Sequence, residues 1–104
     1  MLPSRITVFL RSALLTALLV LAACQTAPPV QEMSDARQAI MVAKEAGAAE
    51  HAAADLREAE NYLQSAEGSL STRNYATARR DAVQAKTKAI EALRRSEAMQ
   101  DAED

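Results

Sequence analysis

Residues 55–70 read DLREAENYLQSAEGSL, and within them Leu56, Ala59, Leu63, Ala66 and Leu70 recur at alternating steps of three and four. That spacing lines five apolar side chains along one stripe of a helix, where a half-buried strand would need strict alternation. Asp55, with Glu58 three residues later, reads as a capping box with Asp in place of Ser or Thr, so the helix starts close by. Gly68 weakens the last turn, and the polar run Ser71-Thr72-Arg73-Asn74 ends the pattern. A helix is therefore expected over 53–71.

The same repeat resumes at once. Tyr75, Ala78, Ala82, Ala85, Ala89, Ala92, Ser96 and Met99 form a seam flanked by Val83, Ile90 and Leu93, and Asn74 stands where a cap is needed. This predicts a helix over 75–100 with a short tail at 101–104. A connection of about four residues makes the two helices antiparallel neighbours. On the N-terminal side, Ala36, Ile40, Ala43 and Gly47 share a face. Ser34 can cap that helix, Asp35 suits its first turn, and Gly47 is a natural stop, which gives 34–47. Residues 48–54 contain no strong breaker, so the join between the first two helices stays open.

The fold class that follows is all-α: an alanine-rich antiparallel helical hairpin or three-helix bundle over 34–100. Composition agrees, since Ala, Glu, Arg, Gln and Lys favour helix over strand. The chain has no Trp, and Tyr62 and Tyr75 are its only aromatics beyond Phe9. So thin a core makes self-association through a residual Ala/Leu face an expectation as well.

The first thirty residues follow other rules. Arg5 and Arg11 precede SALLTALLVLAA at 12–23. Twelve helical residues rise about 18 Å, short of the roughly 30 Å of a hydrocarbon core. Extending the span backwards would place Arg11 in the bilayer at a cost of about 3 kcal/mol. A basic start, a short apolar run and small residues make residues 1–23 a secretory signal. Its end, Leu21-Ala22-Ala23-Cys24, resembles the lipobox of bacterial lipoproteins. The resemblance implies cleavage before Cys24, a covalent lipid on its thiol and no other cofactor, with the membrane as one partner. By resemblance to enterobacterial sorting, Gln25 in place of Asp implies the inner leaflet of the outer membrane, facing the periplasm. Residues 24–33, with Pro28 and Pro29, read as the lipidated cysteine and an extended tether reaching up to roughly 30 Å.

Several function classes are disfavoured. Loss of Arg5 and Arg11 with the signal would leave 10 basic and 14 acidic side chains, the wrong balance for non-specific nucleic-acid binding. One cysteine and one histidine, His51, make neither a disulfide nor a usual zinc site, so no metal is expected. There is no Gly-rich phosphate loop and no nucleophile with a base partner, so no enzyme is expected. The expected role is a structural or protein-binding module with an envelope protein as partner. The alternative is a module for anionic envelope polymers, with Arg80, Lys88, Arg94 and Arg95 of the last helix as contacts. Peptidoglycan or lipopolysaccharide would be the ligand, although no peptidoglycan-binding motif is present.

From Ala36 to about Arg95 the chain resembles the domain-of-unknown-function 4398 family, small alanine-rich domains of Gram-negative envelope lipoproteins. Ala36-Arg37-Gln38-Ala39-Ile40, Gly47-Ala48, Leu56 through Leu70, and Asn74-Tyr75-Ala76-Thr77-Ala78-Arg79 carry the resemblance. It implies an outer-membrane helical domain and supplies no catalytic or binding residues.

Overall fold

The structure is a computed structural model that describes the backbone of residues 3–104 and the side chains of 3–20 and 27–104. Its elements are α1 (Ser4–Thr26), α2 (Val30–Glu45), the single turn α3 (Ala48–His51), α4 (Ala53–Ser71) and α5 (Tyr75–Glu103). The all-α reading holds. α5 lies between α2 and α4 and packs along both.

Ion pairs give the register. Arg37 meets Glu67 and Lys44 meets Glu60, so α2 and α4 run antiparallel. Glu58 meets Lys88 and Asp55 meets Arg95, so α4 and α5 do too. Glu32 meets Arg79 and Asp35 meets Lys86, which makes α2 and α5 parallel. Inside this frame the core is built of small residues. Ile40, Ala43, Leu56, Ala59, Ala89 and Ala92 cluster towards the α3 corner, and Met33, Ala66 and Ala82 towards the other end. Leu63 is only partly buried and packs against both clusters. Alanine seams let helix axes approach closely, which recovers packing contacts that larger side chains would otherwise supply.

The helix ends explain themselves. Gly47 adopts φ +84° and donates its N–H to the Lys44 carbonyl, the left-handed cap that closes α2. α4 begins two residues before the expected Asp55 cap. The Leu56 N–H already bonds the Ala52 carbonyl, and Asp55 sits in the first turn facing Arg95. At the other end, Arg73 N–H bonds Leu70 O and Asn74 N–H bonds Ser69 O. This is a Schellman closure, with Arg73 at φ +61° where glycine is usual. Asn74 occupies the N-cap position of α5 without a side-chain capping bond.

Two boundaries differ from the sequence reading. α5 runs on to Glu103, so residues 101–103, expected as tail, continue the helix with their backbone bonds intact. The first helix of the domain starts at Val30 rather than Ser34, so the expected tether over 24–33 is shortened by four residues. Pro29 takes the N-cap position, and its carbonyl accepts from Met33 N–H at 3.0 Å. A proline there loses nothing by lacking a donor, because the first N–H groups of a helix have no intrahelical partner. Met33, assigned to the tether by sequence, is 2% exposed.

Candidate functional site

The residues with the most specific chemistry in the sequence, Leu21, Ala22, Ala23 and Cys24, fall where side chains lie outside the described residues. Their backbone continues α1. Upstream, α1 leaves Phe9, Leu14, Leu15, Leu18 and Leu19 exposed. Among the described residues no helix is long and apolar enough to cross a membrane.

Immediately downstream the chain is held in place. Arg79 donates from Nη2 to the Ala27 carbonyl at 3.0 Å, and its Nε lies 3.3 Å from Glu32. One guanidinium thus ties the segment before α2 and the first turn of α2 to α5. Pro29, between the two clamped residues in the chain, is fully buried. In the sequence Arg79 is one of six bases between Arg79 and Glu97, with nothing to single it out. Its partners lie about fifty residues away, and no local pattern points to them.

The four bases proposed as polyanion contacts do not form one free patch. Arg80 Nε is 3.5 Å from the neighbouring Asp81. Lys88 reaches Glu58 at 3.3 Å and Glu91 at 3.2 Å, and hydrogen bonds to Glu91 and then Glu58 hold its amine above the ordinary value of 10.5. Arg95 Nε is 3.0 Å from Asp55 Oδ2, in contact but not aligned as a hydrogen bond. Only Arg94 of the four has no ion-pair partner among the described residues.

Asp81, although it lies among the bases of α5, is not a surface acid. It is 6% exposed and accepts a 2.7 Å hydrogen bond from Ser65 Oγ across the α4–α5 interface. The signal was present, since Ala78, Asp81, Ala82 and Ala85 follow the three-four spacing of a buried stripe. Ser96 is also buried, its hydroxyl satisfied by the Ala92 carbonyl at 2.8 Å.

His51 closes the α3 turn near Gly47, and no three His, Cys, Asp or Glu side chains group to hold a metal among the described residues. Tyr62 borders a shallow groove with Glu58, Asn61, Ser65 and Lys88; Tyr75 is not part of it. Ala39, Val42, Ile90 and Leu93 line a second, more apolar groove between α2 and α5. Compared with known proteins, the chain matches no family model, no curated protein and no solved structure.

Proposed function

We propose that the chain is a non-enzymatic lipoprotein of the bacterial envelope, anchored through Cys24 in the inner leaflet of the outer membrane. Its helical domain faces the periplasm as a structural or protein-binding module. The observation that carries this reading is Leu21-Ala22-Ala23-Cys24 at the end of a short apolar run that follows two arginines. Two or three acyl chains on that cysteine would anchor the domain stably, where a single chain binds only marginally.

The helical domain suits such a role. Its grooves are shallow, and half of its charged side chains are taken up in pairs between helices. Such pairs contribute under about 1 kcal/mol each when exposed, and they are compatible with a single helix order and register. The polymer-binding alternative loses ground because Arg80, Lys88 and Arg95 already have carboxylate neighbours.

Mass spectrometry of the chain isolated from envelopes tests the anchor. A mature N-terminal Cys24 carrying diacylglycerol supports the reading, and an intact, unlipidated chain from Met1 overturns it. Photo-cross-linking in cells from Val42 and from Arg94 then tests the module. A discrete adduct with another envelope protein supports protein binding; adducts with polysaccharide alone would transfer the proposal to the polymer class.

A further inference from the structure

The anchored cysteine and the first fixed atom of the helical domain are very close in sequence. Ala27 is held to α5 by Arg79, Pro29 is buried, and α2 is already formed at Val30. Only Gln25 and Thr26 separate Cys24 from this clamp, a reach of at most about 11 Å over three Cα steps. A domain on so short a leash cannot stand off from its membrane.

The end it would present is defined by the fold. Because α2 and α5 are parallel and α4 opposes them, the start of α2, the 71–74 turn and the start of α5 lie together. Val30 there is 73% exposed, and Arg73 is exposed without an ion-pair partner among the described residues.

Charge is polarised along the same axis. Eight of the fourteen carboxylates sit in ion pairs, among them Glu32, Asp35, Glu67 and Asp81 of the anchor-proximal half. The six without a partner among the described residues are Glu45, Glu50, Glu97, Asp101, Glu103 and Asp104. They lie at the end of α2, in α3 and over the last two turns of α5, which is the opposite pole. Free negative charge is thus kept away from the anchor, where an anionic surface would repel it.

We infer that the helical domain stands on the membrane, with Val30 and the Arg73 turn against anionic phospholipid headgroups and its acidic pole directed away from them. This rests on the lipid-anchor reading and deepens it. The short leash supplies the proximity, and the charge polarity fixes which end is down.

The test uses the mature lipidated chain in vesicles of phosphatidylethanolamine and phosphatidylglycerol that contain a headgroup nitroxide lipid. Cys24 is blocked by its lipid, so Thr72→Cys or Glu50→Cys supplies the only thiol for a fluorophore. The expected result is near-complete loss of fluorescence at position 72 and none at position 50. Two variants release the leash: Arg79→Ala, and a six-residue Gly/Ser insertion between Thr26 and Ala27, which leaves every clamp residue in place. Quenching at position 72 should fall in both. Equal, weak quenching at the two positions in protein shown by mass spectrometry to be acylated overturns this inference and leaves the anchor standing. Absence of acylation overturns the anchor, and this inference with it.

Discussion

Arg73 shows how a single residue can oppose its own backbone. It holds φ +61° in the closure of α4, a conformation that costs a non-glycine residue about 1 kcal/mol. Arg73→Gly should therefore raise stability by roughly 0.5–1 kcal/mol, read as an upward shift of the thermal midpoint by circular dichroism. A fall would mean that the arginine side chain stabilises the turn by more than its backbone costs. Lys88 makes a pH-dependent case. Its amine is raised above 10.5 by hydrogen bonds to Glu91 and Glu58, so the folded state holds that proton more tightly than the unfolded chain. The contribution is complete below the unfolded pKa and is lost as pH rises through the folded one. The Glu58→Gln, Glu91→Gln double variant should lose less stability than the parent between neutral pH and pH above 10.5, followed by urea midpoints. An identical loss in both would show that Lys88 titrates without coupling to the fold. Asp81 marks the limit of reading by residue type, since an aspartate on a basic helix looks solvated until its place in the three-four stripe is counted.

Among the elements, legibility followed packing. The bounds expected for the second helix, 53–71, match α4, and the start expected at Tyr75 matches α5, because a long apolar stripe bounded by polar turns leaves few alternatives. α2 was legible over its buried face, with Ala36, Ile40 and Ala43 all in the core, but its start was not. Two prolines read as a spacer, whereas the second of them opens the helix. The single turn α3 had no signal, since AAEH carries no periodicity of its own. The seam itself is open to test. Ala89 is fully buried within the cluster that Ala59 and Ala92 share, where an added side chain has no room. Ala89→Leu should destabilise by about 1–3 kcal/mol despite being more hydrophobic, because overpacking forces the helices apart. Chemical denaturation gives the number, and an unchanged or higher midpoint would show that the seam is loose enough to absorb three carbons.

For the whole molecule the question is where the folded unit begins, and that separates the proposed anchor from the domain. The proposed anchor motif, Leu21 to Cys24, is read from local sequence chemistry alone. The clamp was not legible there, because Arg79 meets Ala27 and Glu32 only after α2 and α5 have come together in parallel. Sequence alone starts the folded unit at Ser34. The structure starts it at Ala27, and the two starting points predict different stabilities. Removing residues 1–24 takes away a helix whose Phe9, Leu15 and Leu19 are exposed, so a chain beginning at Gln25 should keep the stability of the helical domain. Removing residues 1–33 also strips buried Pro29 and Met33 and leaves Arg79 without Glu32. Loss of a buried methionine side chain alone costs about 2–5 kcal/mol, a large share of the 5–15 kcal/mol typical of a small domain. The chain from Ser34 should therefore unfold at least about 2 kcal/mol more easily than the chain from Gln25, and Met33→Ala in the longer chain should recover much of that difference. Equal urea midpoints for the two truncations would place residues 27–33 outside the folded unit, restore the long tether and remove the short leash on which the membrane-facing orientation depends.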